Sequence, residues 1–311
     1  MISEPVPLQP ELSRRFAELV ATHRPLLIPG AYDGLSALLA RQAGHQALYL
    51  SGAAYTASMG LPDLGLTTAD EVARRAREIL EASHLPLLVD IDTGFGGVLN
   101  VVRTARQMVA AGVAAVQLED QEMPKKCGHL SGKRLVSTEE MVQKVKALKA
   151  AAPTLYLVAR TDAVAVEGLE AAIARAQAYR AAGADAIFPE ALTSEAEFAR
   201  FRQAVAGPLL ANMTEFGRTP YLSLAQFGAL GYDMVIFPVT ALRLAAQAMA
   251  LGYETLARTG TQVSLLGAMQ TREALYQLIG YFEYEALDAA LARSELPPFA
   301  SAKDPEKGDQ E

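Results

Sequence analysis

Two aspartates, Asp90 and Asp92, stand two positions apart at the end of an apolar run. In an extended chain, residues i and i+2 share a face, so both carboxylates point the same way. Two such charges repel unless a cation or a proton lies between them. Glu119 closes the next apolar run. Hard oxygen donors of this kind suit Mg2+ or Mn2+. The same acids would also serve to cap a following helix or to pair with Arg160. A second concentration of chemistry follows in residues 121–136, QEMPKKCGHLSGKRLV. It carries Lys125, Lys126, Cys127, His129, Lys133 and Arg134 without a hydrophobic period. Its length favours a lid or binding loop over a plain connection. Cys127 is the only cysteine of the chain. Flanking cations lower a thiol's pKa, and their field attracts a polyanion. The alternative is a surface loop with a solvent-facing thiol.

Other polar residues fall directly after apolar runs. They are Ser51 and Gly52, then Arg160, Thr161 and Asp162, then Glu190, then Asn212 and Thr214. Any one of them would suit a solvated rim; what singles them out is that consecutive runs all end this way. The elements that must position them are eight short apolar runs: 25–28, 47–50, 86–91, 113–118, 155–159, 184–188, 208–211 and 234–237. Runs apolar throughout are the mark of parallel strands buried on both faces. Helical-period segments separate them, with capping-box spacing at Thr68/Glu71, Ser137/Glu140 and Ser194/Glu197. Gly112, Gly183 and Gly231 stand where a helix ends and the next run begins. The alternation predicts an α/β fold, a (β/α)8 barrel with its active site at the C-terminal strand ends. The rival is an open doubly wound sheet. A helix over 11–22 precedes the barrel, and helices over 271–279 and 284–292 follow it. One barrel domain is expected over 1–311, with the barrel over 25–258, a helical extension over 259–293 and a polar tail over 294–311.

Composition narrows the function classes. The 28 Lys and Arg against 35 Asp and Glu give a net charge of −7 in 311 residues. That acidic balance carries no nucleic-acid footprint. No apolar run approaches the roughly 18 residues of a membrane span. The first ten residues lack a basic-then-apolar leader pattern. A single cysteine allows no internal disulfide. A soluble, cytoplasmic protein is expected. Gly94-Phe95-Gly96-Gly97 lacks the spacing of a dinucleotide fingerprint, and no phosphate-loop pattern occurs. His23, His45 and His84 are isolated, and the aromatic group Tyr276, Tyr281, Phe282 and Tyr284 reads as packing or subunit contact.

The segment PKKCGH at 124–129 resembles the signature of the isocitrate lyase/phosphoenolpyruvate mutase superfamily. The resemblance runs from Pro29 to Tyr284 and includes PGAYDGLSA (29–37), YLSG (49–52), GLPDLG (60–65), VDIDTGFG (89–96), QLEDQ (117–121), ARTDA (159–163), FPEA (188–191), NMTEFG (212–217) and MQTREALY (269–276). It implies a barrel whose C-terminal helix is exchanged between subunits of a homo-oligomer, a dimer of dimers. It implies a metal-dependent carbon–carbon lyase acting on a small tricarboxylate. The expected reaction is cleavage of 2-methylisocitrate to pyruvate and succinate, with 2,3-dimethylmalate or oxaloacetate the alternative substrates. By the resemblance, Asp90 ligates Mg2+, and Asp92 and Glu119 help hold it. Cys127 matches the catalytic cysteine of the mobile lid. Ser51, Gly52, Gly128, His129, Arg160, Asn212 and Thr214 match groups that bind the substrate carboxylates. Tyr49, Asp63, Lys125, Glu190 and Arg272 match further active-site positions, Tyr49 being the candidate initial base. One departure is visible: Ala53 and Ala54 stand where relatives often have glycines.

Overall fold

The near-continuous apolar runs cannot leave a face in water, so they assemble where both faces are covered. The structure, a computed structural model, describes residues 5–126, 128 and 132–293. The strands are β1 (Leu26–Pro29), β2 (Leu48–Leu50), β3 (Leu87–Asp90), β4 (Ala115–Glu119), β5 (Tyr156–Thr161), β6 (Ala186–Pro189), β7 (Leu210–Asn212) and β8 (Met234–Phe237). The helices are α1 (Gln9–Thr22), α2 (Gly34–Gln42), α3 (Gly52–Ser58), α4 (Ala69–Ser83), α5 (Val98–Ala110), α6 (Thr138–Ala151), α7 (Leu169–Ala181), α8 (Glu195–Ala204), α9 (Leu224–Ala229), α10 (Thr240–Thr259), α11 (Arg272–Leu278) and α12 (Tyr281–Ala292).

All strand pairs are parallel. One ladder runs β2-β3-β4-β5-β6 and another β1-β8-β7. Single parallel bridges, Gly30 to Tyr49 and Ile187 to Leu209, join the two ladders at both seams. The eight strands therefore close into a barrel rather than an open sheet. Gly30, which bridges to Tyr49, also lets β1 lie close to the end of β8: a Cβ there would stand 2.1 Å from the Pro238 carbonyl oxygen. Helix α1 buries Leu12, Phe16, Leu19 and Val20, and Phe16 packs edge-on against Tyr156 at 5.2 Å. Ser13 Oγ donates to the Ala114 carbonyl at 2.8 Å, ahead of β4. Burial of each such large apolar side chain contributes roughly 1.5–3 kcal/mol.

Strands β1, β4, β5, β6 and β7 run one or two residues past their apolar runs, β2 and β8 end level with theirs, and β3 ends at Asp90 inside its run. Asp90 pairs with Gln117, Glu119 with Arg160, and Asn212 with Ile236. Backbone pairing continues through these polar residues because their side chains face the pocket. Gly112, Gly183 and Gly231 take the expected left-handed conformation, with φ of 87°, 110° and 81°. Thr68 and Glu71 form a reciprocal capping box. Ser137 caps α6 without a return bond, and Glu197 reaches past Ser194 to the Thr193 amide.

The chain forms two compact units, Val6–Leu266 and a second of Gly267–Glu311 with Met1–Pro5. In the second unit Tyr276 stacks on Tyr281 at 4.4 Å, and Phe282 meets both rings edge-on. Among the described residues no helix is long and apolar enough to cross a membrane.

Candidate active site

The C-terminal ends of β2 to β8 surround one pocket. Tyr49, Ser51, Asp63, Asp90, Glu119, Lys125, Gly128, Arg160, Glu190, Asn212 and Thr214, all expected from sequence, line it. Gly52 and Asp92 adjoin it through Asp90. The Gly52 amide donates to Asp90 Oδ2 at 3.2 Å, and the Asp92 amide donates to Asp90 Oδ1 at 3.1 Å. Cys127 and His129 lie outside the described residues. Arg272 opens α11 in the second unit and is exposed.

Asp90 is oriented from below. Tyr49 Oη donates to Gln117 Oε1 at 2.6 Å, and Gln117 Nε2 donates to Asp90 Oδ1 at 3.1 Å. Burial, then the charge of Asp90, pushes the Tyr49 phenol well above its ordinary pKa. A phenol so held suits an orienting donor to Gln117. Gln117 carried no expectation, although a polar residue two before Glu119 inside an apolar run marks the same inward face. Phe188, Ile236 and Pro238 also line the pocket and were passed over as core. Each lies two positions from another pocket residue or from the other of the pair, the same alternation.

The sequence left open whether Asp90 and Asp92 pair with Arg160. They do not. Asp92 Oδ1 lies 2.8 Å from Lys125 Nζ, which also donates to Asp63. Arg160 faces Glu119 at 3.4 Å and Glu190 at 3.2 Å, and its guanidinium lies 5.2 Å over the Phe188 ring centre. Asn212 Nδ2 makes two long contacts of 3.4 Å to the Glu190 carboxylate. Ser51 caps α3, and Ala53 on its first turn lines the pocket where a glycine would leave more room.

The lysines of the 121–136 segment depart from expectation. Lys125 and Lys133 are buried and ion-paired rather than solvated on a polar loop. Burial, the largest influence, works against the charge on Lys125, but Asp92, Glu119, Asp90 and Asp63 outweigh it and hold the ammonium above its ordinary pKa. Lys125 is therefore a fixed cation, not a nucleophilic amine. Burial raises Asp92 to about 7, with Lys125 pulling it down and Asp90 pushing it up. Burial likewise pushes Glu119 well above the carboxylate range, opposed by Arg160. Burial thus disfavours the charged form of both acids unless further positive charge comes close.

Two observations bear on a metal. A Cβ on Gly52 would lie 3.2 Å from both Asp90 Oδ2 and Asp92 Oδ1, so these two oxygens converge on one place. Glu119 Oε1 is buried and accepts no hydrogen bond, and Asp92 Oδ1 has the Lys125 ammonium beside it. Among the described residues no three acids, histidines or cysteines draw together tightly enough to cage an ion. Two converging carboxylate oxygens suit Mg2+, which takes one or two carboxylates and keeps several waters.

The family described as phosphoenolpyruvate phosphomutase matches residues 16–257. The 2-methylisocitrate lyase of Bacillus subtilis (strain 168) is 59% identical over 289 residues, which cover 93% of this chain and 96% of that protein. A crystal structure of 2,3-dimethylmalate lyase, of the PEP mutase/isocitrate lyase superfamily, matches with a TM-score of 0.85 at 37% identity, covering 96% of this chain and 100% of that one. A crystal structure of phosphonopyruvate hydrolase in complex with oxalate and Mg2+ matches with a TM-score of 0.81 at 29% identity, covering 91% and 99%.

Proposed function

Because this chain belongs to the phosphoenolpyruvate phosphomutase family, we propose that it is a Mg2+-dependent carbon–carbon lyase that cleaves 2-methylisocitrate to pyruvate and succinate. The observation that carries this reading is the convergence of Asp90 Oδ2 and Asp92 Oδ1 beside a pocket that also holds Arg160. Cationic and acidic groups at one rim suit a substrate that is both metal-chelating and polyanionic. The 59% identity to a 2-methylisocitrate lyase supports the choice of substrate.

Asp90, Asp92 and Glu119 would hold the cation. When bound, it supplies Lewis-acid charge that stabilises the oxygen anion developing at the 2-hydroxyl as the C2–C3 bond breaks. Tyr49 and Gln117 keep Asp90 turned toward that place. Arg160 binds a substrate carboxylate, and its charge matters most as negative charge builds on the departing succinate carbon skeleton. Ser51, Gly52, Asn212 and Thr214 orient the remaining oxygens. Lys125 stays charged beside Asp92 and Asp63 and adds fixed positive potential. Cys127, next in sequence to the pocket-lining Gly128, delivers the proton to the carbanion carbon as general acid, with His129 adding to carboxylate recognition. The same reading makes the protein a cytoplasmic homotetramer of the methylcitrate cycle in propionate catabolism. The exposed Tyr281, Phe282, Tyr284 and Leu291 of α12 support an exchanged helix.

Pyruvate release tests the substrate. The protein is assayed on 2-methylisocitrate, isocitrate, 2,3-dimethylmalate and oxaloacetate at equal Mg2+. Preference for 2-methylisocitrate is expected. Turnover confined to a shorter acid would move the function to another lyase or hydrolase of the same scaffold.

A further inference from the structure

Arg160 also belongs to a buried polar circuit, through Asp162 and Lys133, that the proposed chemistry does not use. Asp162 accepts from Arg160 Nε at 2.8 Å on Oδ2 and from Arg160 Nη2 at 3.0 Å on Oδ1. The same Oδ1 accepts from Lys133 Nζ at 2.8 Å. Lys133 Nζ donates in turn to the Gly128 carbonyl. Gly128 returns to the start: a Cβ there would stand 2.5 Å from Arg160 Nη2 and 2.4 Å from Glu190 Cγ. Arg160, Asp162, Lys133 and Gly128 thus close a ring that joins the end of β5 to the 121–136 segment.

Asp162 is itself fixed. Its amide donates to Asp120 Oδ1 at 2.9 Å. Asp120 Oδ2 accepts from Thr161 Oγ1 and from Tyr179 Oη, both at 2.8 Å. The backbone that carries the Asp162 carboxylate is therefore anchored on Asp120. A buried ion pair contributes little net stability compared with apolar packing of the same volume. Its placement at a substrate-facing guanidinium points to geometry rather than stability.

We propose that Asp162 is a positioning residue that sets the orientation of Arg160 and, through Lys133, the placement of Gly128 against it. The proposal rests on the reading that Arg160 binds a substrate carboxylate. One carboxylate then aligns the anion-binding group of the barrel with the segment that carries Gly128 and, next to it in sequence, Cys127. A substrate that draws Arg160 forward pulls on the same oxygen that holds Lys133.

Steady-state kinetics on the full-length wild type, Asp162→Asn, Lys133→Met and the double variant test this, with Tm recorded for each. Lys133→Met leaves Asp162 its bidentate Arg160 and should fold. It should lower kcat/KM by about 10- to 100-fold, the cost of a small misplacement of a binding group, with the larger share in KM. Asp162→Asn should lose at least as much, and the double variant should lose no more than Asp162→Asn alone, because the two act along one path. A lowered Tm with unchanged kcat/KM, or losses that multiply in the double variant, would overturn the proposal. If Asp162→Asn does not fold, Lys133→Met decides alone, and wild-type kinetics there refute it. A wild type that acts only on a shorter 2-hydroxy acid would defeat the substrate reading instead, and the variant ratios are then taken on that acid.

Discussion

The Gly52 amide donates to Asp90 Oδ2 at 3.2 Å, tying the first turn of α3 to the end of β3. The bond places the Gly52 Cα over the two oxygens of Asp90 and Asp92 that converge there. A methyl at Gly52 would stand 3.2 Å from each, so the carboxylates would have to give way. Gly52→Ala is therefore expected to fold with a Tm close to wild type. The Mg2+ concentration for half-maximal pyruvate formation should rise about tenfold, the scale of a disturbed metal-ligand support. Unaltered Mg2+ dependence would separate these oxygens from the metal.

Tyr49 acts on Asp90 at one remove, through Gln117. Tyr49→Phe deletes the donor and leaves Gln117 Oε1 without that partner. The Mg2+ requirement should rise by about 10- to 100-fold while activity at saturating Mg2+ largely recovers. A loss of kcat that no Mg2+ concentration restores would show that the phenol touches the substrate directly.

Burial alone would push the Asp162 carboxyl up, but Arg160 and Lys133 outweigh it and hold it down at about 2, against 3.8 for the free group. A depressed carboxyl adds stability that is complete above the unfolded-state pKa and lost as pH falls through the folded-state value. Asn at 162 has no such titration. The stability gap between wild type and Asp162→Asn should thus narrow by about 2 kcal/mol between about pH 5 and about pH 2. Denaturant melts across that range measure it; a constant gap would mean the carboxylate is not held charged.

The close packing of β1 on the end of β8 can be tested by stability. At Gly30 a Cβ would meet the Pro238 carbonyl oxygen at 2.1 Å, and backbone has no flexible end to move aside. Gly30→Ala should destabilise by about 1–3 kcal/mol, the usual scale of overpacking. A thermal melt equal to wild type would show that the backbone after β8 gives way to the methyl.

The barrel was legible because its strands are buried on both faces and so carry an uninterrupted apolar signal. Strand ends were less so: an apolar criterion stops before Glu119 and Arg160, while ladder pairing includes both. Site membership read well for residues that follow the runs, since topology brings every strand end to one rim. Partnerships did not. Nothing in the spacing says that Lys125 turns inward to Asp63 and Asp92, or that Lys133 reaches Asp162. Those contacts join residues 29 to 62 positions apart and depend on how the 121–136 segment folds over the rim. Gln117 and Phe188 were missed because inward-facing strand residues read as core until the pocket is seen.

The most direct measurement is product analysis of 2-methylisocitrate turnover after EDTA treatment and after Mg2+ is restored. The account predicts pyruvate and succinate in equal amounts, abolished by EDTA, recovered with Mg2+, and not recovered by Asp90→Asn. Cleavage that survives EDTA, or 2-methylisocitrate left intact with Mg2+ present, would contradict it.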